Sequence, residues 1–203
     1  MICTMKQAEP YFVNKQLKKF IKKLDGKAFF VGGCVRDFLI HRGISDIDMA
    51  TPFTPKVVRK KLTDLPITVI PTGILHGTLT LIFRKDKQEV QITSFRKDVK
   101  TDGRHALVEF GKSMEEDAKR RDLTINALYM DKDGQIFDFV GGLKDLKHKR
   151  IRFIGNPDQR IKEDCLRILR FFRFYGLFSK AVPDKAALTA CRKNKQLIAN
   201  ISR

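Results

Sequence analysis

No stretch of this chain approaches the roughly 20 consecutive apolar residues that a bilayer-crossing helix needs, so no membrane span and no membrane partner is expected. The opening residues, MICTMKQAEP, lack the basic segment followed by an apolar stretch that marks a secretory leader. Cysteine is sparse and scattered. Cys3, Cys34, Cys165 and Cys191 form no CxxC pair, and no histidine stands at metal-ligand spacing beside them. That argues against a zinc site or a disulfide framework and for reduced thiols in a cytoplasmic protein. Internal repeats and low-complexity tracts are also missing. Acidic residues are the last shortage: 23 Asp and Glu stand against 41 Lys and Arg, a net charge of +18. A chain this basic attracts polyanions, because neutralising phosphates releases counterions. The basic residues are spread along the chain rather than gathered on one amphipathic helix, which favours nucleic acid over an anionic membrane.

What is present is enough to fold. With 42 % apolar residues over 203 positions, the chain can build one good core, or one domain with a helical appendage. Apolar residues at helical spacing predict a helix over 11–24 (YFVNKQLKKFIKKL). KAFFVGG (27–33) reads as a buried strand ending in a glycine turn, followed by a helix over 34–42 and a strand over 44–51. A helix over 54–62 has Thr54 as N-cap and Pro55 in its first turn. Strands are expected at 67–71, 77–83 and 89–95, then a mobile loop over 96–112. Ser113 and Glu116 form a capping box for a helix over 113–130, and a hairpin with an Asp-Gly turn follows over 131–139. Residues 141–157 read as a connector, and from about 158 the chain is expected to be helical to its end.

Four constellations carry chemistry. Asp46 and Asp48, two apart in a strand, project to one face while Ile47 faces the core. Adjacent carboxylates repel unless a cation joins them, and Mg²⁺ takes one or two carboxylates plus phosphate oxygens; a solvated edge strand would show the same pair. Gly32-Gly33, between strand and helix, leaves backbone N–H groups facing a cavity, as phosphate sites do, with Arg36 in the next turn; a tight turn would also use them. Arg120 and Arg121 sit inside the expected 113–130 helix, where two adjacent arginines would be solvated or salt-bridged, or one of them, Arg121, would reach a triphosphate.

IKEDCLRILRFFRFYGLF (161–178) is the most informative stretch. On a wheel of about 100° per residue, Arg167, Arg170 and Arg173 step along one side with Glu163 among them, and Asp164 sits at the edge beside Arg167. Cys165, Ile168, Leu169, Phe171, Phe172 and Tyr175 fall opposite. Unpaired, the arginines would repel one another; a bound nucleotide removes that repulsion. A carboxylate only accepts and a guanidinium only donates. Held to a Watson–Crick edge, an Asp164/Arg167 pair would accept cytosine and adenine, whose amino donor adjoins a ring acceptor, and refuse guanine and uracil.

Five stretches together make the sequence resemble the class II tRNA nucleotidyltransferase (CCA-adding enzyme) and bacterial poly(A) polymerase family. They are VGGCVRD with DID, PTGILHGTLTL, TSFRKDVKTDGRHALVEF followed by EEDAKRRDLTINAL, DFVGGLKDL, and IRFIGNPDQRIKEDCLRILRFFRF. The resemblance implies an α+β fold: a nucleotidyltransferase-type mixed sheet flanked by helices, then an all-helical neck. Residues 1–140 would be the catalytic head and 141–203 the base-recognition neck, with the family's body and tail domains absent. It implies Mg²⁺ on Asp46 and Asp48 and a nucleotide on Gly32, Gly33, Arg36 and Arg121. Asp164 and Arg167 would read the base, with Arg170 and Arg173 completing that face. The implied reaction is attack of a tRNA 3′-hydroxyl on the α-phosphate of CTP and then ATP, releasing pyrophosphate. The rival expectations are a poly(A) polymerase, or a nucleotide- or RNA-binding fragment that needs a second chain to turn over. Two local departures stand out: His41-Arg42 precede Gly43 at the end of the first glycine-led helix, and Gln91 fills a strand position that is often acidic in the family, with Glu89 two residues away.

Overall fold

The computed structural model describes residues 3–102, 105–111, 113–178 and 182–200, of which 97–102, 105–109, 182 and 200 are described by backbone alone. The chain begins with β1 (Cys3–Lys6), a short exposed strand that no hydrophobic alternation announces. Helix α1 (Lys15–Lys23) is shorter than the expected 11–24 because Asn14 caps it. The Asn14 Oδ1 accepts the N–H groups of Gln16 and Leu17, both at 2.9 Å. Leu17, Phe20, Ile21 and Leu24, at helical spacing, are all buried. Strand β2 (Phe29–Val31) turns through Gly32 into α2 (Gly33–Leu39).

Strand β3 (Ile47–Thr51) covers only the second half of the expected 44–51, because no neighbouring strand pairs beyond Ile47. Thr54 occupies the cap position of α3 (Pro55–Lys61), but its hydroxyl makes no capping bond. Strands β4 (Ile67–Gly73), β5 (Thr78–Phe83) and β6 (Glu89–Ser94) lie where alternation placed them. The segment expected as a loop over 96–112 is instead an antiparallel ribbon, β7 (Arg96–Asp102) with β8 (His105–Phe110), whose paired backbone groups satisfy one another. The mobility expected of it falls in part on residues outside those described.

The expected helix over 113–130 is corrected to three elements. Ser113 does cap α4 (Met114–Arg120), accepting the Glu116 N–H at 3.3 Å, but the helix stops at Arg120. A 3₁₀ turn at 124–126 and β9 (Leu128–Met130) follow. Tyr129 and Met130 face opposite sides of the sheet, which is a strand's period rather than a helix's. Strand β10 (Gln135–Asp138) completes the hairpin over a turn with Gly134 at φ 80°. The expected connector holds α5 (Gly142–Lys147) and β11 (Arg150–Ile151). Beyond it the chain is not helical throughout: α6 (Pro157–Glu163), α7 (Leu166–Leu177) and α8 (Lys185–Lys193) are interrupted by β12 (Val182–Pro183), which pairs parallel with β11.

Eight strands form one mixed sheet in the order β1-β10-β9-β2-β3-β6-β5-β4, with β3 and β6 its parallel neighbours. Strand alternation divides the buried residues. Phe30, Met49 and Met130 face α1, α2 and α3 through Leu17, Val35 and Val58, while Val31, Ala50 and Tyr129 face α4 through Ala118. The first cluster continues without a gap into Phe153, Ile168, Phe171 and Cys191 of the following segment. Cys34 and Cys191 are buried thiols, and all four cysteines are free. Among the described residues no helix is long and apolar enough to cross a membrane.

Candidate functional site

The turn from β2 into α2 is where the site begins. Gly32 has φ 76° and ψ −121°, a conformation that side chains disfavour. A Cβ there would stand 3.5 Å from the Asn126 carbonyl oxygen and 3.6 Å from Arg121 Nη1; one at Gly33 would stand 3.8 Å from Arg36 Nη2. The glycines thus leave open space beside two guanidinium groups. Across that space lie the carboxylates. Asp46 precedes β3 and is exposed, its Oδ2 accepting the Ser45 hydroxyl at 2.8 Å. Asp48 stands on the face of Ala50, toward α4. Burial pushes the Asp48 carboxyl above its ordinary range, and Asp46 adds to this, against the opposing pull of Arg121.

Each arginine is held by partners that aim it. Arg36, nearly buried, donates to both Asp37 oxygens at 2.9 and 2.7 Å and to Asn126 Oδ1 at 2.6 Å, with the Phe174 ring of α7 over its guanidinium at 4.9 Å. Arg121 is the C-cap of α4, with extended dihedrals, rather than an interior helical residue. Its Nε and Nη2 reach Asp117 at 3.3 and 3.2 Å, and Nε also donates to the Tyr129 hydroxyl at 3.1 Å. Burial alone would raise Asp117; Arg121, Arg120 and the Tyr129 hydroxyl outweigh it and hold the carboxyl below the usual range. From α6, Arg160 donates to the Arg120 carbonyl and, at 2.6 Å, to the Arg121 carbonyl, closing the end of α4.

The helical stretch expected over 161–178 is not continuous. Asp164 sits at φ −156° and ψ 108°, so α6 ends there, and its Oδ1 accepts the Leu166 N–H at 3.0 Å to start α7. The wheel that joined Asp164 to Arg167 therefore does not apply across the break. Within α7 the arginines diverge. Arg170 donates to Asp122 at 2.5 Å, and Arg173 lies beside the Phe174 ring. Arg167 turns back to α6, its Nη1 donating to Glu163 at 2.7 Å and to the Arg160 carbonyl at 2.8 Å.

A cavity of about 310 Å³ gathers eight of the ten expected residues: Gly32, Gly33, Arg36, Asp46, Asp48, Arg121, Arg170 and Arg173 line it. Asp164 and Arg167 do not. Asp122, Asn126 and Phe174 do line it, and sequence reasoning passes over all three: nothing in their spacing marks them, because they arrive from a helix end, a 3₁₀ turn and α7. Asp117 and Tyr129, which aim Arg121, escape for the same reason. Among the described residues no three His, Cys, Asp or Glu side chains gather as a metal site. The available donor set is Asp46 with Asp48, a pair that fits Mg²⁺ only when phosphate oxygens supply the remaining ligands. Gln91 lies in register with Asp48, two residues along β6 from Glu89.

Residues 28–152, more than half of the chain, match the family described as the poly A polymerase head domain. The chain is 41 % identical to the human protein named CCA tRNA nucleotidyltransferase 1, mitochondrial, over 98 % of its own length and 48 % of that protein. It is 39 % identical to the CCA-adding enzyme of Bacillus licheniformis, over 92 % of its length and 46 % of the relative. Among solved structures, the Bacillus stearothermophilus CCA-adding enzyme in complex with CTP aligns at a TM-score of 0.80 and 34 % identity, covering 94 % of this chain and 46 % of that one. The chain thus spans about half the length of these relatives. With its sheet, glycine turn and paired aspartates in one matched segment, it belongs to the poly A polymerase head domain family.

Proposed function

We propose that this chain is the head and neck of a template-independent RNA nucleotidyltransferase that adds C and A residues to the 3′ end of tRNA from CTP and ATP. The observation that carries the reading is the cavity in which Asp46 and Asp48 face Arg36, Arg121, Arg170 and Arg173 across an open glycine turn. Paired acceptors opposite clustered donors are what a metal-bound triphosphate requires. The names of the relatives, which specify CCA addition and tRNA, support the substrates. We assign residues 1–140 to the head and 141–203 to the neck. A second chain, or further sequence, would supply the grip on tRNA that the longer relatives have room for.

Asp46 and Asp48 would hold Mg²⁺, which when bound neutralises the triphosphate and the charge that develops on its oxygens. The chain's own groups position the reactants. Arg121 and Arg36, pinned by Asp117 and Asp37, hold phosphate oxygens without having to reorganise. The RNA 3′-oxygen bonds to the α-phosphorus as the bond to the bridging oxygen breaks. Pyrophosphate leaves with that electron pair, and the hydroxyl proton goes to solvent. For base selection we assign Asp164 and Arg167. Arg167 spends only Nη1 on its described partners, so Nε and Nη2 are left to donate to a base. Burial opposes the Arg170 charge, and Asp122 first, with Asp164 after it, outweighs that, so Asp164 is near enough to Arg170 for its charge to be felt.

The test is extension of a radiolabelled tRNA lacking its CCA end, with Mg²⁺ and the four nucleotides singly and together, beside Asp46→Ala. Extension that stops after CCA, and is lost in the variant, is the expected result. An A ladder would mean poly(A) synthesis instead. Binding of CTP and ATP in preference to GTP and UTP without extension would mean a nucleotide-binding fragment. Absence of both extension and preference would remove the base-reading role from Asp164 and Arg167.

A further inference from the structure

Asp46 and Asp48 line two cavities, not one. The arginine cavity lies toward β2. The second, of about 330 Å³, lies toward β6 and is lined by Tyr11, Gln88, Glu89 and Gln91 beside the same two carboxylates. Its lining contains no Lys or Arg, so it is unsuited to a triphosphate. Its three carboxylates and two glutamine amides accept from hydroxyl donors, and its aromatic ring offers a face to stack on, which is the chemistry of a nucleoside. Tyr11 is 70 % exposed, an unusual placing for so large a ring. It is nonetheless held: the ring meets Phe12 edge-on at 5.6 Å and Phe38 at 6.2 Å, and the hydroxyl donates to the Arg42 carbonyl at 3.5 Å. An exposed, braced aromatic ring is a stacking platform for a base. Gln91, in register with Asp48, presents an amide that both donates and accepts, as ribose hydroxyls require.

We propose that this second cavity receives the 3′-terminal nucleoside of the acceptor RNA, with Tyr11 stacking on its base and Gln91 bonding its ribose. The inference rests on the nucleotidyltransferase reading above and goes beyond it by giving Tyr11 and Gln91 a role toward the acceptor. Phosphoryl transfer sets the attacking and leaving oxygens roughly in line on opposite sides of phosphorus. With the triphosphate in the arginine cavity, the attacking hydroxyl comes from across the carboxylates, which is where the second cavity opens. Tyr11 is then a binding residue whose loss affects the RNA and not the nucleotide.

The experiment uses the whole chain and an RNA acceptor stem without its CCA end, carrying a 3′-deoxy terminus and 4-thiouridine at the last position. Irradiation followed by peptide mapping needs no turnover. A cross-link on the peptide bearing Tyr11, which moves elsewhere when the 4-thiouridine is placed internally, is expected. In extension assays Tyr11→Ala raises the KM for the RNA by about tenfold, while the KM for CTP stays within about twofold and Tyr11→Phe restores the wild-type value. Because the side chain is exposed, the variant keeps its fold, which circular dichroism checks. An unlabelled Tyr11 peptide, or an unchanged RNA KM in Tyr11→Ala, overturns the assignment. If CTP binds the wild-type chain and the cross-link is absent, the acceptor assignment falls and the nucleotide site stands. If CTP does not bind at all, both fall.

Discussion

Burial and Asp46 push the Asp48 carboxyl up, and Arg121 offsets this only in part. Gln91, its register neighbour, is the position where one more charge would matter most. On the proposed metal site, Gln91→Glu supplies a third carboxylate and lowers the Mg²⁺ concentration needed for half-maximal CTP binding, read by Mg²⁺ titration. Asp117 is the opposite case, a buried carboxylate with more partners than it needs. Its folded pKa lies below the unfolded value of about 3.9, so it contributes stability above that value and loses the contribution as the pH falls through the folded one. Asp117→Asn should cost on the order of 3 kcal/mol at neutral pH, the scale of a broken buried ion pair. It should also flatten the loss of stability below about pH 4, measured by urea unfolding across the acid range. Asp46, Asp48 and the glycines were legible as residues because their spacing is local. Asp117 was not, because its role exists only once Tyr129 returns beside it on β9.

At the scale of elements, two helices were read too long for one reason. Helical periodicity was followed through places where a side chain bonds the backbone at a helix end. Asp164 ends α6 in extended backbone and its Oδ1 caps the Leu166 N–H at the start of α7, while α4 ends where Arg160 donates to the Arg120 and Arg121 carbonyls. The cap separates two roles of Asp164. Asn caps about as well as Asp, so Asp164→Asn should keep the stability of the chain, whereas Asp164→Ala should lose about 1 kcal/mol. An amide, however, donates as well as accepts, so Asp164→Asn should blunt the preference for CTP and ATP over GTP and UTP in competition binding. A variant that keeps both stability and preference would leave Asp164 as a cap alone. The ribbon of β7 and β8 was missed because Gly, Lys and Asp obscure its alternation, while backbone pairing needs no side chain to specify it.

At the scale of the molecule, one apolar cluster runs from α1 through the sheet to Phe153, Phe171 and Cys191. Phe171 is fully buried and stacks on Phe153 at 5.6 Å. Phe171→Ala should therefore cost about 3–5 kcal/mol and lower a single thermal transition seen alike by far- and near-ultraviolet circular dichroism. Two separated transitions would mean that the proposed head and neck unfold independently. The same continuity brings Phe174 over Arg36 and sets Arg170 and Arg173 on the cavity wall, so the later helices complete a site that the sheet begins. The sequence by itself determined the strand–glycine–helix turn, the aspartate pair and the basic excess, because the first two depend on neighbours a few residues apart and the third on composition alone. Only the tertiary structure decided which arginines meet the carboxylates, that Arg167 turns away from them, and that a second cavity, lined by no Lys or Arg, opens across from the first. Those outcomes depend on side chains tens of residues apart being packed together, and no local spacing encodes that.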